Sequence, residues 1–219
     1  TKIVKNFTQN FLDIYFTNGP EDGSGYNTLL RNQADGSFQD VTDAAGVGGD
    51  PSGKGSCVLD ANLDGWPDLF VTTGREFGNH LYINQGDGTF VLGPIESDAR
   101  FRYRASKPAG IAFLDYNLDG FLDLWVVHNE QPGPTGLPDY ILRGDGTGHF
   151  EDQSQALGIQ TGYWNSVDAL NSAQAHSWGW SGAACDLNLD GLPELLAASY
   201  GRMPNHLWRA LIGSDGVTG

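Results

Sequence analysis

One nine-residue pattern occurs three times in this chain. The copies are Asp60-Ala-Asn-Leu-Asp-Gly-Trp-Pro-Asp68, Asp115-Tyr-Asn-Leu-Asp-Gly-Phe-Leu-Asp123 and Asp186-Leu-Asn-Leu-Asp-Gly-Leu-Pro-Glu194. Each places oxygen-bearing side chains at positions 1, 3, 5 and 9 and a glycine at position 6. A hard divalent cation takes several oxygen ligands at about 2.3–2.6 Å, and alternate residues of a short loop supply them while glycine permits the sharp turn. The pattern therefore predicts three Ca2+ sites. The ligands are Asp60, Asn62, Asp64 and Asp68 in the first, Asp115, Asn117, Asp119 and Asp123 in the second, and Asp186, Asn188, Asp190 and Glu194 in the third. The backbone carbonyls of Trp66, Phe121 and Leu192, at position 7, complete each set.

The flanks exclude an EF-hand, whose longer loop ends in a bidentate glutamate and joins two helices. Here Leu69-Phe-Val-Thr-Thr73, Leu124-Trp-Val-Val127 and Leu195-Leu-Ala-Ala-Ser199 follow the loops, and similar short apolar runs precede them. Such runs, bounded by Gly, Asp and Pro, read as strands. Each loop thus closes a β-hairpin.

The spacing of the loops sets the architecture. They begin at residues 60, 115 and 186, so the intervals are 55 and 71 residues. A second signature recurs in Asn27-Thr-Leu-Leu-Arg-Asn-Gln-Ala-Asp-Gly-Ser-Phe38, Asn79-His-Leu-Tyr-Ile-Asn-Gln-Gly-Asp-Gly-Thr-Phe90 and Tyr140-Ile-Leu-Arg-Gly-Asp-Gly-Thr-Gly-His-Phe150. Asp-Gly between apolar runs marks a hairpin turn. A unit of four antiparallel strands repeated at this interval is the pattern of a propeller blade. The expected fold is an all-β propeller domain over residues 1–219 with four recognisable blade repeats, either closed on themselves or part of a larger ring.

The motif D-x-N-x-D-G-x-x-D, followed by N-x-L-Y-x-N-x-G-D-G-x-F and by Asp40-Val-Thr-Asp-Ala-Ala-Gly-Val47, resembles the FG-GAP/VCBS-repeat calcium-binding propellers. Bacterial members and the cartilage acidic protein family are similar in style, and integrin α-subunit propellers share the loop. The resemblance implies a secreted or surface-exposed repeat protein that binds calcium. It does not imply one activity, because the family includes adhesins, lectin-like domains and a few enzymes.

The first unit has lost its metal ligands. Lys5, Phe7, Gln9 and Asn10 stand where Asp, Asn, Asp and Gly are expected, although Phe11-Leu-Asp-Ile-Tyr-Phe-Thr17 keeps the following strand, so no cation is predicted there. Lys2-Ile-Val4 is what remains of the preceding strand, and the last unit lacks a clear fourth strand. No apolar run is long enough to cross a bilayer. The formal net charge of −15 argues against nucleic acid, and three Ca2+ would offset six of those charges. Loops of this kind suit compartments with ~millimolar calcium, which points to an extracellular, cell-surface or periplasmic location. Cys57 and Cys185 fall on strands preceding loops and read as small buried residues, with a disulfide as the alternative.

No catalytic motif stands out. His80 and His206 occupy one repeat position (Asn-His-Leu-Tyr and Asn-His-Leu-Trp) and read as packing residues. Two stretches break the repeat and are candidate partner contacts. Arg100-Phe-Arg-Tyr-Arg-Ala-Ser-Lys107 reads as a strand with Arg100, Arg102 and Arg104 on one face. The 71-residue interval carries Tyr163, Trp164, Trp178 and Trp180, rigid aromatic anchors suited to a sugar or a protein subunit. The chain therefore reads as a calcium-stabilised binding, adhesion or assembly module, with a carbohydrate-active lyase or dehydratase-like propeller as the alternative.

Overall fold

The computed structural model of this chain describes residues 2–4, 11–18, 25–49, 53–73, 78–94, 96–101, 108–129, 139–159, 162–163, 166–172, 175–176, 179–200, 204–213 and 216–218. These residues form an all-β structure built on four antiparallel sheets of three or four strands. Repeat one comprises β1 (Lys2–Val4), β2 (Asp13–Phe16), β3 (Thr28–Asn32) and β4 (Phe38–Asp40), followed by the short helix α1 (Thr42–Ala45). Repeat two comprises β5 (Gly53–Leu59), β6 (Asp68–Thr73), β7 (His80–Asn84) and β8 (Phe90–Leu92), followed by α2 (Asp98–Phe101). Repeat three comprises β9 (Pro108–Leu114), β10 (Asp123–His128), β11 (Tyr140–Gly144) and β12 (Phe150–Asp152). The inserted stretch folds as β13 (Gly162–Tyr163), α3 (Val167–Asn171) and β14 (Ala175–His176). Repeat four is the three-stranded sheet β15 (Gly179–Cys185), β16 (Glu194–Ser199) and β17 (His206–Trp208), and a small hairpin of β18 (Leu211–Gly213) and β19 (Gly216–Thr218) follows. Within each sheet the strands pair in chain order, as short hairpin connections dictate.

Two expectations need correction. Residues 98–101 are helical rather than extended, because Asp98 sits in the first turn where the helix dipole favours a carboxylate. The alternation of arginines along a strand therefore fails at Arg100. The interval between β12 and β15 carries short elements of its own. Its β13 and β14 pair in parallel, and Ser166 Oγ accepts a hydrogen bond from the Ala169 amide at 3.1 Å, capping α3. Cys57 is buried, as expected for a small residue, whereas Cys185 is exposed.

The repeats share their turn chemistry. In the Asp-Gly turns, Oδ1 of Asp35, Asp87 and Asp145 accepts both the backbone N–H and the hydroxyl of Ser37, Thr89 and Thr147. Each turn is thus a side-chain mimic of a backbone turn. At the far end of the sheets, an amide or carboxyl side chain hooks the end of the second strand. Asn27 accepts from Asn18 N, Asn79 from Thr73 N, Asp139 from His128 N and Asn205 from Ser199 N.

The chain divides into two compact units, residues 1–105 with 145–149, and residues 106–144 with 150–219. In the first, Tyr15 and Leu29 of repeat one pack against Leu69, Val71 and Tyr82 of repeat two, with Val41, Ala45 and Val47 closing the cluster. The Tyr15 hydroxyl donates to Val47 O at 2.9 Å, and burial pushes its pKa well above the usual value. In the second, Trp125 of repeat three is fully buried among Leu195, Ala197 and Trp208 of repeat four, and its indole N–H donates to Leu196 O at 3.2 Å. Gly182 lies under that ring, and a Cβ at Gly110 would stand 2.3 Å from Gly182 N. Glycine here is what lets two strands from adjacent repeats approach backbone to backbone.

Candidate metal loops and an exposed aromatic pair

The three nonapeptides fold alike because their own side chains dictate the turn. The position 1 carboxylate spans the loop. Asp60 Oδ1 and Oδ2 accept from Asp64 N and Gly65 N at 3.1 and 3.0 Å. Asp115 takes Asp119 N and Gly120 N, and Asp186 takes Asp190 N and Gly191 N, in the same way. The position 5 carboxylate accepts from the position 7 amide, at 2.8 Å for Asp64 and Trp66, 3.0 Å for Asp119 and Phe121, and 2.9 Å for Asp190 and Leu192. The residue at position 4 is held in the left-handed region in every copy, with φ of 57° at Leu63, 59° at Leu118 and 63° at Leu189. A leucine there carries strain that the surrounding bonds must hold.

Position 9 plays a different part. Asp68 is buried, its Oδ2 accepts from Ala61 N at 2.8 Å, and its Oδ1 accepts from Asn84 N at 2.8 Å. Asp123 does the same with Tyr116 N and Gly144 N, and in repeat one Asp13 still accepts from Asn32 N. This carboxylate ties its loop to the third strand of the sheet. Burial pushes Asp68 up to about 6 and Asp123 to about 7, opposed by the backbone N–H bonds and reinforced by the neighbouring loop carboxylates. Glu194 departs from this arrangement. Its Oε2 accepts from Leu187 N at 2.7 Å, and its Oε1 accepts from Asn188 Nδ2 at 2.8 Å.

Cations from the protein reach two of the loops. Arg143 on β11 contacts Asp119 Oδ2 at 3.2 Å, and Arg209, just past β17, approaches Asp190 Oδ2 at 3.8 Å. The matching residue of repeat two is Ile83. Asp119 titrates below the usual carboxylate range despite partial desolvation, through bonds from Asn117, the Phe121 amide and Arg143. Asp190 is likewise lowered, chiefly by the Leu192 amide.

Among the described residues, no group of three or more His, Cys, Asp or Glu side chains is already gathered as a metal cage. The donor set nonetheless suits a hard cation. Each loop carries three carboxylates and an amide oxygen, and an ionised carboxylate has about four lone-pair sites, of which the loop amides use one or two. The position 7 side chains diverge: Leu192 is buried, while Trp66 is exposed and lies over Gly86, where an added Cβ would meet its ring at 2.8 Å.

Of the residues singled out as partner contacts, Arg102, Arg104, Trp164 and Trp178 lie outside the described residues, as do positions 5–10 of the eroded first loop. Arg100 is placed in α2 and Tyr163 in β13 by their backbones. Trp180 is on β15, at the register shift between Gly179 and Ser181. A bulge there re-aims the side chain. The ring is 55% exposed and faces Tyr200, itself 50% exposed, with centroids 5.1 Å apart and planes at 33°. Tyr200 was missed in the sequence, where nothing marks it beyond its place after Ser199. His80 stacks on Tyr82, and at the matching place of repeat four His206 lies tilted against Trp208, with centroids 6.5 Å apart and planes at 50°.

Comparison with known proteins agrees with the repeat structure. No curated protein matches the chain. Among solved structures, an Agrocybe aegerita lectin described for its specific recognition of non-reducing terminal N-acetylglucosamine is similar at 19% identity and a TM-score of 0.50. The match covers 93% of this chain and 50% of the lectin, so the chain spans half that protein's length. No helix among the described residues is long and apolar enough to cross a membrane. The profile of the FG-GAP-like repeat matches residues 10–71 and 60–126, together more than half of the chain. The chain belongs to the FG-GAP-like repeat family.

Proposed function

We propose that this chain is a calcium-braced recognition module that works outside the cytosol, its sheets serving as blades of a β-propeller and its exposed aromatic pair as a contact surface for a saccharide. The observation that carries the metal reading is the common wiring of the three loops, in which the position 1 carboxylate spans the turn and the position 5 carboxylate holds the position 7 amide in every copy. A cation held there would offset the repulsion among three carboxylates per loop and would brace the hairpin, with no chemical step asked of it. An extracellular or periplasmic location follows from the ~millimolar calcium that such open loops need.

Trp180 and Tyr200 support the saccharide reading. Exposed aromatic faces at a bulge offer apolar area for the C–H face of a sugar ring at small entropic cost. The lectin's described specificity makes N-acetylglucosamine the first ligand to test. Calorimetric titration of the chelated protein is expected to count three Ca2+ per chain; none, or a site that survives removal of Asp60 and Asp64 together, would refute the metal assignment. Retention on immobilised N-acetylglucosamine in calcium is expected for the native chain and not for Trp180→Ala. Equal behaviour of the two on a panel of glycans would sink the saccharide reading.

A further inference from the structure

We infer that Arg143 is a built-in competitor for the cation of loop 115–123, displaced onto Glu151 when calcium enters, so that loop 60–68 fills at lower calcium than loop 115–123. The inference rests on the calcium reading of the loops and adds an order of filling to it. It starts from one place in the repeat, four residues after the side-chain hook. Arg31, Arg143 and Arg209 hold that place in repeats one, three and four, and Ile83 holds it in repeat two. Loops 60–68 and 115–123 otherwise agree. In each, position 9 grips two backbone amides and position 1 spans the turn. Position 5 takes the position 7 amide on Oδ1 and the position 3 side chain on Oδ2.

The two loops part at that position 5 carboxylate. Arg143 donates to Asp119 Oδ2 from Nη2 at 3.2 Å and from Nε at 3.4 Å, beside Asn117 Nδ2 at 2.8 Å. Asp64 Oδ2 accepts from Asn62 Nδ2 at 2.9 Å. Ile83, in the place of Arg143, packs toward Gly148, where an added Cβ would stand 3.2 Å from its Cδ1. A divalent cation entering loop 115–123 must take the oxygen that the guanidinium holds, and a guanidinium left beside it repels it. The strand register supplies a place for the arginine to go. Arg143 stands directly across from Glu151 on β12, whereas Ile83 stands across from Val91 on β8. Directly opposed residues have Cβ atoms about 4.5–5.5 Å apart on one face of the sheet. A guanidinium released from Asp119 thus meets the exposed Glu151 carboxylate by side-chain rotation, with the backbone unchanged. A half-exposed pair such as Arg143–Asp119 is worth a factor of about two to five in calcium affinity.

Calcium titration of the chelated protein, followed by amide NMR, tests the proposal. The amides of Gly65, Gly120 and Gly191 donate to the position 1 carboxylates and report one loop each. Gly65 is expected to shift at lower calcium than Gly120. Arg143→Ala should lower the Gly120 midpoint by about two- to five-fold and leave that of Gly191 in place. Arg143→Lys, which keeps the charge without the planar fork, should fall between. Glu151→Gln should raise the Gly120 midpoint in the native chain and leave it unmoved in the Arg143→Ala background. A Glu151→Gln effect that persists without Arg143 overturns the exchange onto Glu151. Coincident Gly65 and Gly120 midpoints, or a Gly120 midpoint indifferent to Arg143→Ala, overturn the inference and leave the metal reading intact. Silence of all three glycines up to ~millimolar calcium refutes the metal reading itself, and the inference with it.

Discussion

Repeats two and three carry one scaffold with two charge arrangements. Both have the nonapeptide, the buried position 9 carboxylate bridging loop and third strand, and the side-chain hook at the sheet's far end. In repeat two the hook is Asn79 and the residue beside the loop is Ile83; in repeat three the same places hold Asp139 and Arg143. The backbone bonds are the same in kind. What differs is how each repeat balances its charges: repeat three has a guanidinium of its own over the loop and a buried carboxyl under the sheet, and repeat two has neither. Geometry in this fold is thus fixed by hydrogen-bonding groups, while charge at those positions is left to vary.

The largest effect should come from the part the two repeats share. Asp68→Ala strips the partners from the amides of Ala61 and Asn84 at once, and is expected to cost about 3 kcal/mol or more, as for buried donors left without acceptors. Glu194→Ala should cost less, since Glu194, although buried, takes only one backbone amide, its second partner being the Asn188 side chain. Chemical denaturation of the two variants checks this, and equal losses would show that position 9 is not the anchor.

Calcium is expected to come next and to split the repeats. A site held at 100 times its dissociation constant adds about 2.7 kcal/mol. In chelator, amide exchange at 60–68 should quicken more than at 115–123, because Arg143 still faces Asp119 when the metal is gone. Identical exchange in both loops would remove the distinction drawn here.

Asp139 gives a pH test of the other difference. Burial raises its carboxyl to about 7, and His128 N donates to it. The unfolded chain titrates near ~3.9, so the folded state holds the extra proton between these values. Stability is full below about pH 4 and falls as pH rises through 7. Asp139→Asn, which restores the residue found in the other repeats, should therefore raise the melting temperature at pH 8 and change little at pH 4. The gain is expected at about 1–2 kcal/mol, below the full value of the shift because the fold relaxes around a buried charge. Melting curves that respond equally at both pH values would exclude this role for the carboxyl.

The smallest effect belongs to Arg143 itself. Its pair with Asp119 is half-exposed, and such pairs are worth roughly 0.2–1 kcal/mol. Arg143→Ala should destabilise the chelated protein by about that much and bring exchange in loop 115–123 to the rate of loop 60–68.

Much of this was legible in the residues. The spacing of the nonapeptides and the Asp-Gly turns marked the strands and their order in each repeat, because alternate apolar residues and turn formers act over a few positions. What was not legible depends on neighbours distant in sequence. The sequence marks Asp68 as one oxygen among four, and only the approach of Asn84 shows it bound to the third strand. Cys57 and Cys185 sit at related places before their loops, yet one is buried and the other exposed, because burial is decided by the sheet that covers them. Arg100 failed for a different reason. Alternation of arginine with aromatic residues looks like a strand, but a turn begun at Asp98 takes Arg100 and Phe101 into a helix. Tyr200 acquires its interest from Trp180, which a bulge turns toward it.

The double grip of Asp68 also bears on how a repeat opens. One carboxylate holds an amide in the loop and another at the end of β7, so neither hairpin can peel away without releasing the other. Hydrogen exchange in the native protein would then report Ala61 and Asn84 as one kinetic class, opening together at one free energy. Under mechanical load the same bond would act as a latch across the sheet, so that a repeat yields as a whole rather than strand by strand.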